Sequence, residues 1–95
     1  MAESSNSVLY CNRSAAYHAL GSFKEALEDA QKCVELKPHW SKGYYRKGNA
    51  LVGLGRLEEA IVSGYDIGLR TAEDDATRKQ IETEITKATQ AMSSK

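Results

Sequence analysis

Residues Leu20–Leu27 read LGSFKEAL, and residues Leu54–Ile61 read LGRLEEAI. The two stretches stand 34 positions apart, with Leu, Gly, Glu and Ala in register and a large apolar residue at Phe23 and Leu57, then at Leu27 and Ile61. The same displacement, with no gap, pairs Tyr10 with Tyr44 and Ala16 with Ala50, and sets Cys33 against Ile67. Self-similarity at a fixed period of this size marks a chain built from stacked supersecondary units.

Working outward, each unit reads as two helices joined by a tight turn. In the first unit Val8, Leu9, Ala16, Tyr17 and Leu20 recur at helical spacing, and Gly21 supplies the permissive backbone that ends a helix. Phe23, Ala26, Leu27, Ala30, Cys33, Val34 and Leu36 form a second apolar stripe, stopped by Pro38. The second unit follows the same plan: Tyr44 to Leu54, Gly55, then Leu57 to Leu69. Ala16, Ala26, Ala30, Ala50, Ala60 and Gly64 are small where neighbouring helices are expected to cross closely. A fifth helix follows, capped at Thr71 or Asp74, with acids in its first turn and a stripe of Ile81, Ile85, Ala88 and Met92. One apolar side and one wet side suit the end of a stacked array. The expected fold is all-α with five helices: a disordered segment 1–6, a repeat at 7–40, a repeat at 41–72, a capping helix at 74–92 and a tail at 93–95.

At 95 residues the chain is one domain by size. Thirteen basic and 13 acidic residues leave no net charge, which argues against a nucleic-acid binder driven by overall charge. Cys11 and Cys33 fit no CxxC metal or redox pattern and read as small buried or half-buried side chains of a reduced, intracellular protein. Neither a secretory signal nor an apolar run long enough to span a membrane is visible, so the expected location is the cytoplasm, with no membrane partner. Catalysis finds little support. His18 and His39 have no cysteine or acid at metal-ligand spacing, the glycines of "GLGR" lack a phosphate loop's pattern, and Glu73–Asp75 suits a helix start better than a metal. No enzyme activity and no cofactor are expected.

The run Trp40–Gly48, WSKGYYRKG, poses a local problem. Lys42 and Arg46 stand four apart on one helix face, where like charges cost roughly 0.2–0.5 kcal/mol. Asn12 lies 34 positions before Arg46, so both occupy equivalent places on adjacent leading helices. Leading helices line the inner side of such an array. Asn12, Lys42 and Arg46 are therefore expected to converge. An anion between them reverses the repulsion: Arg forks onto a carboxylate, Lys adds a point charge and Asn donates through its amide. Asn49, one turn beyond Arg46, and Tyr45 are further candidates for the same groove. The plain alternative is a pair of solvated surface cations. Tyr44 reads as core, and Trp40 as packing at the inter-repeat turn.

The period, with Gly21, Phe23, Ala26 and Pro38 in place, resembles the tetratricopeptide repeat. The departures are Arg13-Ser14 and Lys47-Gly48 where that pattern has Leu-Gly, and the missing closing proline in the second unit. The runs Asn12–Tyr17, NRSAAY, and WSKGYYRKG resemble those of co-chaperones with a carboxylate clamp. That resemblance implies binding of the acidic Glu-Glu-Val-Asp tail of seventy- or ninety-kilodalton heat-shock chaperones. Asn12 corresponds to the clamp asparagine of the family's second repeat, and Lys42 and Arg46 to the pair of its third. The first repeat, which supplies a Lys and an Asn in the family, has no counterpart among these residues. Two other readings follow: a scaffold that self-associates, as a homodimer through an uncovered N-terminal helix, or binds a folded partner; and a piece of a larger enzyme.

Overall fold

A computed structural model describes the backbone of residues 2–94 and the side chains of residues 6–94. The described residues form five helices and no strand. Helix α1 spans Ala2–Ala19, α2 Phe23–Leu36 and α3 Ser41–Gly53. Helix α4 runs without a break through Leu57–Ala60, a π-helical stretch Ile61–Tyr65 and Asp66–Thr71. Helix α5 spans Asp75–Ser93.

Both hairpin turns are built alike. Gly21 and Gly55 take φ of 81° and 79°, the left-handed region that an L side chain enters only at a cost. Ser22 N–H donates to the Tyr17 carbonyl and Gly21 N–H to that of His18; Arg56 donates to Leu51 and Gly55 to Val52. This is the Schellman closure, which satisfies carbonyls that a helix end leaves free. Two identical turns 34 residues apart yield two similar helical hairpins, α1–α2 and α3–α4. Asp74 caps α5, its carboxylate accepting from Thr77 N–H; hydrogen bonding to Thr77, from the side chain first and then the backbone, holds the carboxyl below its ordinary value.

Successive helices pack in sequence, and the leading helices also lie side by side, α1 against α3 and α3 against α5. The core gathers Ala26, Leu27, Ala50, Leu51, Ala60, Tyr65 and Ile81, with Tyr17, Tyr45 and Leu69 packed around it. The alanines let helices approach, and at Gly64 the approach reaches backbone: a Cβ there would sit 2.7 Å from Gly48 N and 2.8 Å from its Cα.

Four expectations are corrected. Helix α1 begins at Ala2, so residues 2–6 are helical rather than disordered, while Met1 lies outside the described residues. No proline or glycine stands between Ala2 and Leu20 to halt helix propagation. At the other end α5 runs on through Ser93, and Lys95 lies outside the described residues. The face of α1 that packs is Ser7, Cys11 and Ser14, with the Ser14 hydroxyl donating to the Ala26 carbonyl at 2.8 Å. Val8, Leu9 and Leu20 of the expected stripe are 43%, 59% and 77% exposed, and Ala16 is exposed too. Helix α1 carries apolar residues on two faces, and α2 covers the one whose small side chains let it come close. Finally, the register shifts beyond Ile61. Buried Cys33 corresponds to half-buried Ile67 at a displacement of 34, but to buried Gly68 at 35. The π stretch inserts one residue into the helix and turns everything after it.

Candidate peptide-binding site

Helix α3 carries Lys42, Arg46 and Asn49 at i, i+4 and i+7, one stripe along its axis. Lys42 is exposed, and Arg46 and Asn49 are half-buried. The four ion pairs seen among the described residues use Arg13, Arg56, Arg70 and Lys87, and neither Lys42 nor Arg46 takes part in one. Arg13 shows the contrast: it forks onto Asp29 with Nε–Oδ2 at 2.7 Å and a terminal nitrogen to Oδ1 at 2.9 Å, tying α1 to α2. Arg46 has no such partner, and its Nε is the buried side-chain nitrogen left without an acceptor among the described residues. Its guanidinium lies 5.5 Å from the centre of the Tyr45 ring, a cation–π contact.

Across from Arg46 stands Cys11 of α1. Its thiol is drawn down to about 6 by its hydrogen bond to Cys33, then by the hydrogen bond and charge of Arg46 and the charge of Lys42, against the opposing effect of burial. Cys33, hydrogen-bonded to Cys11 and buried, is pushed up. Both cysteines are free and fully buried. Thus Arg46 and Lys42 both act on the residue next to Asn12. Asn12 itself is exposed and makes no side-chain hydrogen bond among the described residues.

Asn49 is committed on one side: its Oδ1 accepts from the Tyr65 hydroxyl. Tyr45 packs against the core, its ring 6.3 Å from that of Tyr65, and presents its face to Arg46. Trp40 lies at the inter-repeat turn under Lys37 Nζ, and Tyr44 donates to the Pro38 carbonyl there. A cavity of about 660 Å³ opens beside this turn, with Lys42, Trp40 and Asp74 in its wall. Among the described residues no three His, Cys, Asp or Glu side chains are gathered to hold a metal, and no helix is long and apolar enough to cross a membrane.

Three participants, Cys11, Cys33 and Tyr65, were not anticipated from sequence. Cys11 and Cys33 meet because each stands eleven residues from Ser22 at the hairpin turn. Equal arms of an antiparallel helical pair end at equal height, a signal present in the sequence. Tyr65 gave no such signal, because its direction depends on the π stretch.

Stacked helical hairpins, with Lys42, Arg46 and Asn49 in a stripe along α3, define a helical repeat protein. The tetratricopeptide repeat family matches residues 7–40 and again 41–63, and the chain belongs to that family. The second match ends inside the π stretch. The chain is similar to the Protein STIP1 homolog of Dictyostelium discoideum, 53% identical over 78 residues, covering 82% of this chain and 13% of that protein. It is likewise similar to Heat shock protein STI1 of Saccharomyces cerevisiae, 55% identical over 60 residues, 63% of this chain and 10% of the relative. A third relative is the Hsp70-Hsp90 organizing protein of Triticum aestivum, 52% identical over 64 residues, 67% of this chain and 11% of the relative. The chain therefore spans a small part of the length of each.

Proposed function

We propose that this chain is a non-catalytic interaction module of a co-chaperone, acting in the cytoplasm, that binds the acidic C-terminal peptide of a heat-shock chaperone, of the Glu-Glu-Val-Asp type. The observation that carries the reading is Arg46, a half-buried guanidinium with an unpartnered Nε, on the same face as an unpaired Lys42. Arg46 has no carboxylate partner inside the fold, and a carboxylate from outside supplies the charge-assisted bonds that its guanidinium can make. Arg46 and Lys42 hold carboxylates, and Asn12 donates to the terminal carboxylate or to the peptide backbone. Asn49 adds a donor one turn on, and Tyr45 orients Arg46 while bordering the groove. The similarity to proteins named as Hsp70-Hsp90 organizing proteins supports the choice of partner.

Titration calorimetry with a free-acid peptide ending in Glu-Glu-Val-Asp tests this. A charge-assisted hydrogen bond contributes about 1.5–3 kcal/mol, so Arg46→Ala weakens binding at least about tenfold. Amidating the peptide's C-terminus weakens it as well. Equal affinity of the variant, or of the amidated peptide, sinks the assignment.

A second reading is self-association through α1. Val8, Leu9 and Leu20 are exposed at 43%, 59% and 77%, an apolar face that a second copy would bury. Light scattering across a concentration series decides it: a constant monomer mass removes this reading and leaves peptide binding untouched.

A further inference from the structure

We propose that Tyr65 is a positioning residue of the peptide site, holding Asn49 so that its carboxamide nitrogen donates to the acidic peptide one turn beyond Arg46. The inference rests on the peptide-binding reading above and adds to it a buried residue from the neighbouring helix α4.

The argument begins in the backbone. The α3–α4 crossing has no side chain on either partner, since Gly48 faces Gly64. The adjoining π stretch Ile61–Tyr65 shifts the following residue by one position. One residue in an α-helix is a rotation of about 100°, so without the extra residue the Tyr65 side chain would leave α4 in another direction. As built, Tyr65 is fully buried, its ring against Gly48, where any Cβ would collide with it. The ring has no freedom to swing, and its hydroxyl is delivered to one place.

That place is Asn49 Oδ1, the hydroxyl's one partner among the described residues. Burial, with Glu84 and Tyr45 alongside, pushes the phenol up, so it keeps its proton and acts as the donor. An asparagine side chain has one acceptor oxygen and one NH2 with two donors. With Oδ1 engaged, the NH2 is what remains, and no acceptor for it is seen among the described residues. The site along α3 is then Lys42, Arg46 and Asn49, three donors in succession with their acceptor function absent or occupied. That suits a ligand presenting only oxygens, such as a run of acidic residues in extended form.

The test is calorimetric titration of the same free-acid peptide into the wild-type chain, Tyr65→Phe, Asn49→Ala, the double variant and Arg46→Ala, with thermal melting of each. Tyr65→Phe keeps the ring and removes only the hydroxyl. Each single variant at Tyr65 and Asn49 is expected to lose about two- to tenfold in affinity. The double variant is expected to bind no more weakly than Asn49→Ala alone, because Tyr65 acts through Asn49. Asn49→Asp, which keeps an acceptor for Tyr65 but replaces the donor with a carboxylate, is expected to lose more than Asn49→Ala. Wild-type affinity in Tyr65→Phe overturns the proposal, even if its melting temperature falls. Losses that multiply in the double variant overturn it too, as does wild-type affinity in Asn49→Asp. If Arg46→Ala binds like wild type, the peptide-binding reading itself fails; if Arg46→Ala loses affinity and Tyr65→Phe does not, only the role of Tyr65 fails.

Discussion

Gly64 and Arg46 show two ways in which a single residue carries this structure. At Gly64 the contact is made by backbone atoms, which cannot rotate away. Alanine would gain about 0.8–1.0 kcal/mol in helix propensity over glycine. Its Cβ would meet Gly48 N at 2.7 Å and Cα at 2.8 Å, and overpacking of that kind costs about 1–3 kcal/mol or more. The clash wins, so Gly64→Ala is expected to lower the melting temperature despite the better helix former. Gly43→Ala is expected to be milder, because the nearest atoms, Val34 Cγ1 at 2.9 Å and Cys33 Sγ at 3.1 Å, belong to side chains rather than to the backbone. A ranking with Gly43→Ala the more damaging in a melting experiment contradicts this account. Arg46 was legible in the sequence from its spacing to Lys42 and its repeat relation to Asn12. Its lack of a carboxylate partner was not legible: Arg13 sits one residue further along the preceding leading helix and is paired with Asp29. Only the fold shows which arginine faces an acid.

At the scale of elements, the α1–α2 seam places two thiols face to face. In the unfolded chain both keep protons up to their ordinary value of 9.0, whereas in the fold Cys11 sits near about 6 and Cys33 above its ordinary value. Between about pH 6 and about pH 9 the unfolded chain therefore binds more protons than the folded one, so stability rises with pH across that window. Above it the unfolded chain releases a second proton that folded Cys33 retains, and the gain reverses. Denaturant unfolding followed against pH is expected to show this rise in the wild type, and the difference curve against Cys11→Ser isolates it. A difference curve that is flat over the window rules out the thiol pair as its source. The two apolar faces of α1 and the π stretch of α4 belong to this scale too. Helical periodicity reveals that a face exists but not which neighbour covers it. A repeat period read from matching residues does not reveal an inserted one when chance matches, such as Cys33 against Ile67, bridge the shift.

For the whole molecule, a chain without net charge has no general attraction for anions, so the proposed binding of an acidic peptide rests on local arrangement. Binding is then expected to weaken as salt rises, since Lys42 is exposed and screening at about 0.1 M salt acts over about 10 Å. Lys42→Ala is expected to flatten this salt dependence while Arg46→Ala mainly lowers affinity, because half-buried Arg46 is screened less. An affinity independent of salt in the wild type removes charge from the account.

The 34-residue period, the two glycine turns and the absence of alternating strand patterns determined the all-helical repeat fold from sequence alone. These are local features: a left-handed turn, a helical stripe and a cap are each fixed by residues within a few positions of one another. What the tertiary structure alone decided is which cations have a carboxylate partner, which face of α1 is covered, and where Tyr65 points. Each of these depends on residues brought together from different helices, and on one extra backbone residue whose effect appears only when the helices are packed.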